Sequence, residues 1–317
     1  MQGRHANHDV LDRRSTSTKS ALDALYASFD DAESAFDPIQ VVRRYARLDD
    51  REIVAFVAAG LAFGRVTSVV QSIEAVCRVL GPSPAAFVRA FDPARDGAPL
   101  RPLVHRWTRG DDFVALIWTL RRFLDEHGSL EAAFAPGLDP AAEDVGPALE
   151  RFSEAAREIQ TPGVVLAKGR PRAQKTPGVF YFFSRPSTGS ACKRLNLFLR
   201  WMVRRDGVDP GGWTTVPARQ LVVPLDTHTI RVGRCLGFTR RATPGWKMAI
   251  DITRALREID PIDPVRYDFS LCHLSMMGAC GFRTTRGDAD CPLRGLCRPR
   301  RGIVRTPRAS SRPSARR

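Results

Sequence analysis

Residues 220–238 read QLVVPLDTHTIRVGRCLGF, and the reading of this stretch decides the fold. An extended apolar approach ends at Pro224, Asp226 takes an N-cap position, and a helix runs from residue 227 to a stop at Gly237. Capping alone accounts for an aspartate here and is worth about 1 kcal/mol. The same position suits a carboxylate that must stay ionised, because the positive end of the helix dipole favours its charged form. Such a group can act electrostatically or as a general base toward water.

Outward from this stretch, helical patterning dominates. Asp37-Pro38 reads as an N-cap followed by a proline at the first helical position. Residues 50–63 and 66–80 are apolar at helical spacing, with Gly64 between them and Gly81-Pro82 after the second. Phe113, Leu116, Ile117, Leu120 and Leu124 form an amphipathic stripe, and further helices are predicted over 147–158, 190–205, 227–236, 244–258 and 264–278. Between them, 161–190 is rich in proline and glycine and reads as loop. Its aromatic cluster, Phe180, Tyr181, Phe182 and Phe183, reads as a core plug or short strand, with stacking on exposed bases as the alternative. The fold class is therefore all-α. Residues 1–20 and 303–317 read as disordered, leaving a helical region over 21–302.

At 317 residues the chain can bury a substantial core, and 43% hydrophobic with 26% charged content fits a soluble globular protein. No apolar run approaches the roughly 18 residues of a membrane span, and the first twenty residues lack the apolar segment of a secretory signal. These features imply a cytoplasmic protein. The net charge of +15 is concentrated: 161–205 holds ten Lys or Arg and no acid, and 298–317 holds eight Arg and no acid. Two basic blocks on an otherwise slightly acidic body suit a polyanion, since neutralised phosphates release condensed counterions. A solvated tail is the plain alternative for the second block.

SACKRLNLFLRWMVRR, from Ser190, places Leu195, Phe198, Leu199 and Met202 on one face and Lys193, Asn196, Arg200 and Arg204 on another. The turn Pro186-Ser-Thr-Gly189 precedes it, and a glycine turn at a helix start is a natural phosphate site. Gly189, Ser190, Arg194, Asn196, Arg200 and Arg204 are accordingly candidate nucleic-acid contacts, with a solvated charged face as the alternative.

Leu225-Asp226-Thr227-His228, followed by Arg231-Val232 and Leu236-Gly237, resembles the motif of the helix-hairpin-helix DNA glycosylase superfamily, typified by endonuclease III and the adenine glycosylases. The resemblance implies a two-lobed helical fold and gives Asp226 the catalytic role of assisting base departure and stabilising positive charge on the sugar. It also gives His228 and Arg231 places in the DNA-facing segment 186–236. Bifunctional members use a lysine after a glycine hairpin as Schiff-base nucleophile. Gly189-Ser190-Ala191-Cys192-Lys193-Arg194-Leu195-Asn196 keeps that Lys-x-x-Asn spacing, so the resemblance implies Lys193 as nucleophile, with phosphate contact the rival role. The second hairpin glycine is absent, and Lys193 lies 33 residues before Asp226.

The same strings, with Leu199-Arg200-Trp201-Met202-Val203-Arg204 and Asp263-Pro264-Val265-Arg266-Tyr267-Asp268-Phe269, resemble a bacterial family of unknown function grouped with that superfamily, across most of residues 35–300. The partner implied is double-stranded DNA with a flipped base, met by a monomer in the nucleoid. A non-catalytic nucleic-acid-binding protein on the same scaffold is the alternative.

Four of the seven cysteines, Cys272, Cys280, Cys291 and Cys297, fall in the loop region 272–298. Many members of the superfamily carry a 4Fe–4S loop spaced Cys-x6-Cys-x2-Cys-x5-Cys. The resemblance implies Cys280, Cys291 and Cys297 as metal ligands, while the remaining position falls on Asp288. Carboxylate suits such a cluster poorly. Cys272 lies about two helical turns, roughly 12 Å, before Cys280 and would join only if the chain folded back. Zinc on the three cysteines with Asp288 or His273, or a loop without metal, are the alternatives. Cys77, Cys192 and Cys235 read as core residues.

Overall fold

Leu48–Leu61 (α3) is apolar on nearly every side and runs through the centre of the molecule, its residues from Ile53 to Leu61 all buried. A helix hydrophobic all round belongs inside a helical layer structure, and the other helices of this computed structural model gather about it. The structure describes residues 17–29, 37–163, 178–276 and 291–297.

In chain order the helices are α1 over 17–27, α2 Ile39–Arg43, α3, α4 Val66–Leu80, α5 Pro84–Ala90 and α6 Pro93–Asp96. They continue as α7 Gly110–His127, α8 Leu130–Phe134, α9 Gly146–Glu158, α10 Lys193–Val203, α11 Thr227–Leu236, α12 Trp246–Ile259 and α13 Asp268–Met276. Among the described residues the named strands are β1 Val104–His105 and β2 Thr108–Arg109, an antiparallel hairpin. The all-α expectation holds. No helix among these residues is long and apolar enough to cross a membrane.

Several predicted helices match closely because their ends are marked locally. Asp226 caps α11 and Gly237, at φ 78°, closes it in the left-handed conformation. Asp37 accepts a hydrogen bond from the Ile39 N–H (2.9 Å) at the start of α2. The N-terminal boundary drawn at residue 20 needs correction, since residues 17–20 already belong to α1. Tyr267 Oη donates to Asp23 at 2.6 Å and Tyr26 Oη to Asp206 at 2.9 Å, which ties α1 to the body.

The aromatic run 180–183 is a core plug. Residues Gly178–Tyr181 form a 3₁₀ turn, Phe182 and Phe183 are buried, and Phe183 lies 5.3 Å from Phe56 and 6.0 Å from Phe152, centroid to centroid. Gly60 of α3 makes room for the plug, because a Cβ there would stand 2.3 Å from the Phe182 ring.

Two packings set the site. α10 lies on α3, and α11 lies on α13. The first brings the start of α10 to the end of α3; the second aligns the start of α11 with the middle of α13.

Candidate active site

The N-cap of α11 is where the functional side chains converge. Asp226 Oδ1 accepts from the backbone N–H groups of His228 and Thr229, each at 2.9 Å. Those bonds leave Oδ2 for other partners. Lys193 Nζ, from the first turn of α10, stands 3.7 Å from Oδ2, and the same ammonium donates to the Ala62 carbonyl at the exit of α3, at 3.3 Å. On the other side, Cys272 of α13 directs its S–H at Oδ2 from 3.6 Å and sits 3.9 Å from Met276 Sδ.

The charges follow from these contacts. Burial pushes the Asp226 carboxyl upward, but the Lys193 ammonium and the two capping amides outweigh it and hold the group below the usual carboxylate range. Burial and the negative charges of Asp226 and Asp268 push the Cys272 thiol well above its usual value, so it is a donor to Asp226 rather than a thiolate.

Three residues of α13 at positions i, i+4 and i+7 make one polar stripe that meets the first turn of α11. Asp268 Oδ1 accepts from Thr229 Oγ1 at 3.3 Å, Cys272 faces Asp226, and Ser275 Oγ pairs with His228 Nδ1 at 2.8 Å. His228 thus holds the helix start through its ring as well as its amide. Asp268 is fully buried and pushed up to about 6 by burial, even with Arg200 Nη1 at 2.7 Å.

Arg200 leads to a correction. The second face of α10 was expected to present Asn196, Arg200 and Arg204 to phosphate, yet all three are buried. Arg200 spans Asp209 (Nη2 to Oδ1, 3.0 Å) and Asp268, while Arg204 pairs with Asp209, Asp206 and Asp263. Buried guanidinium groups need carboxylates at hand, and this network supplies them. Its effect on the site is to lock α10 against α13, and so to fix Lys193 relative to Asp226. Asn196 donates to the Ala191 carbonyl at 3.0 Å, bracing the turn before α10.

The turn before α10 is a 3₁₀ turn, Pro186–Thr188, closed by Gly189 at φ 80°. Gly189 is exposed and Ser190 half-buried. Glu150 accepts from Ser187 N–H at 2.9 Å and Ser187 Oγ at 2.6 Å, so a carboxylate of α9 already occupies this turn. Gly189 carbonyl receives the Trp246 N–H at 3.1 Å, which joins this turn to α12. Arg194 is half-buried behind it, and Arg231 is exposed on α11.

With this geometry in place, comparison with known proteins gives one match. The family described as a protein of unknown function (DUF2400) matches residues 37–277. The chain belongs to that family. No curated protein and no solved structure matches. The matched region contains Lys193, Asp226, Asp268 and Cys272, and it ends before Cys280, Cys291, Cys297 and the arginine-rich tail.

Cys272 and its stripe on α13 escaped the sequence reading as parts of this site. Asp268, Cys272 and Ser275 at helical spacing along one helix were the available sign. Cys280 and Asp288 lie outside the described residues. Cys291 is buried and Cys297 half-buried around the turn 292–296, where Leu293 is also buried. No group of three His, Cys, Asp or Glu suited to a metal ion occurs among the described residues. His273 stacks on Phe269 at 3.9 Å and its Nδ1 faces the Phe269 carbonyl at 3.0 Å.

Proposed function

We propose that the protein acts on DNA as a member of the helix-hairpin-helix glycosylase superfamily, releasing a damaged base with Asp226 and Lys193 as its catalytic pair. The observation that carries this reading is the 3.7 Å approach of Lys193 Nζ to Asp226 Oδ2, from the starts of two different helices. A carboxylate fixed by two amides and held ionised is suited to stabilise positive charge developing on a sugar. A primary amine beside it is suited to attack C1′ once neutral. In that step the C1′–N bond breaks, the base leaves with its electron pair and takes up a proton, and Lys193 becomes joined to C1′. Asp226, 3.7 Å from the ammonium, is placed to take the proton that Lys193 loses and pass it on to the departing base, which returns it to its ionised form. In this reading Gly189, Ser190, His228 and Arg231 are the DNA contacts, and a two-lobed helical architecture belongs to it.

A cubane on Cys280, Cys291 and Cys297 would need a fourth ligand, and Cys272 faces Asp226 Oδ2 at 3.6 Å. No step of this reading depends on a cluster. Iron and sulfide analysis of anaerobically purified protein addresses the loop directly.

A panel of duplexes, each with one damaged base, tests the function. Release of free base by the wild type supports an enzyme. Salt-sensitive binding with no base released from any duplex would favour a non-catalytic DNA-binding protein on the same scaffold.

A further inference from the structure

An aromatic surface lies beside the Lys193–Asp226 pair. Phe63, at the exit of α3, is 44% exposed, unusual for phenylalanine next to a helix as apolar as α3. Trp107, from the β1–β2 hairpin, meets it at 4.9 Å between ring centroids, and Tyr181 lies 5.1 Å from Trp107. The ladder is joined to the site through the chain: Lys193 holds the carbonyl of Ala62, the residue before Phe63.

Two arginines border these rings. The Arg106 guanidinium lies 5.5 Å from the Phe63 centroid. Arg106 has φ 58°, a left-handed conformation rare for a side chain of its size. Opposite it, Gly64 at φ 116° leaves the space the guanidinium fills, since a Cβ there would stand 2.5 Å from Arg106 Nη2. Two left-handed residues from separate segments thus hold a cation over an exposed ring. The two-residue turn of the β1–β2 hairpin itself calls for a positive φ at Arg106, so the place of the guanidinium over Phe63 is built into the hairpin.

Arg194 is the second cation. Its guanidinium lies 5.5 Å from the Trp107 centroid and 5.9 Å from that of Tyr181. Nη1 donates to the Tyr181 carbonyl at 2.9 Å, while Nε is buried with no hydrogen-bond partner. Burial pulls this guanidinium down to about 10. No carboxylate pairs with it among the described residues, in contrast to Arg200 and Arg204. A desolvated cation without an acid lacks an anionic partner.

We propose that Phe63, Trp107 and Tyr181, with Arg106 and Arg194, form a stacking platform for an unpaired nucleobase and its flanking phosphate on DNA held at the Lys193–Asp226 pair. The proposal rests on the nucleic-acid reading above and adds to it the residues that receive the base. Aromatic faces accept any base by stacking, worth about 1–3 kcal/mol per base. Arginines without carboxylate partners complement phosphate and add cation–π attraction.

The test is binding, not turnover. Full-length protein is titrated against labelled duplexes of one sequence, fully paired or with a single unpaired base, and followed by fluorescence anisotropy. Wild type should bind the unpaired-base duplex about tenfold more tightly, in line with one stacked base. Phe63→Ala should erase that preference, weakening the unpaired-base duplex about tenfold more than paired DNA, and Phe63→Trp should restore it. Arg106→Gln should weaken binding of both duplexes and lower the salt dependence. Equal wild-type affinities for the two duplexes, or a preference that survives Phe63→Ala, would overturn the platform. A Phe63-dependent preference without base release on any lesion would overturn the catalytic reading alone. Base release with no such preference would overturn the platform alone. Binding to no DNA, with capture of an acidic protein partner through Phe63, would overturn both.

Discussion

Lys193 and Asp226 meet across 33 residues of sequence, and each is recognisable locally for a different reason. Asp226 announces itself by capping, since its carboxylate precedes an apolar helix that ends at Gly237. Lys193 is visible only as one cation among several, and what distinguishes it is the carboxylate it reaches. Cys272 was illegible because nothing in a one-dimensional pattern says that a thiol 46 residues away donates to that carboxylate. The low pKa of Asp226 has a testable sign. Its ionised form stabilises the fold at pH above the unfolded value near 3.9, and that contribution disappears as pH falls through the lower folded value. Urea titrations from pH 2 to 7 should therefore show wild type losing more stability on acidification than Asp226→Asn. Parallel acid curves for the two would contradict the charge assignment. Cys272→Ser keeps a hydroxyl donor toward Oδ2 and should retain more base-release activity than Cys272→Ala, measured under single turnover. Equal losses in the two would mean that the donor does not matter.

At the level of elements, the contrast between α10 and α11 explains what a helical wheel can and cannot supply. The apolar face of α10 was legible, and Leu195, Phe198, Leu199 and Met202 are buried as their spacing requires. Its basic face was misread because the wheel shows charge without showing Asp209, Asp263 and Asp268, which arrive from later segments to meet Arg200 and Arg204. Removing one side of such a network leaves buried carboxylates uncompensated. Arg200→Ala should cost about 3–5 kcal/mol in denaturant unfolding, with no change in the salt dependence of DNA binding. Little loss of stability with a shallower salt slope would instead restore the phosphate role. α3 offers a second test. Gly60→Ala forces the Phe182 ring to move, and overpacking of this kind costs about 1–3 kcal/mol. An unchanged melting temperature would mean that the plug is loosely held. The short helices α5, α6 and α8 span too few turns for periodicity to reveal them, although Asp92 and Ser129 mark the starts of α6 and α8 by side-chain caps.

Across the whole molecule, the all-α class followed from patterning, whereas the site depends on which helices touch. α10 on α3 and α11 on α13 bring together residues from four segments. Positive charge has a different logic at this scale. Part of the internal basic block is consumed by ion pairs, which leaves the eight arginines of 298–317 as the larger reservoir of positive charge for the proposed attraction to DNA. Truncation after residue 297 should lower affinity for every duplex alike and make the plot of log affinity against log salt shallower. Loss of preference among duplexes, with the slope unchanged, would assign the tail to recognition instead. The central claim concerns Asp226, and single-turnover base release on the lesion panel, with duplex affinity measured in parallel, tests it most directly. Wild type should release base from at least one duplex, and Asp226→Asn should slow that release a hundredfold or more, roughly the range of acid–base catalysis, at nearly unchanged affinity. Release by Asp226→Asn at the wild-type rate would contradict the account.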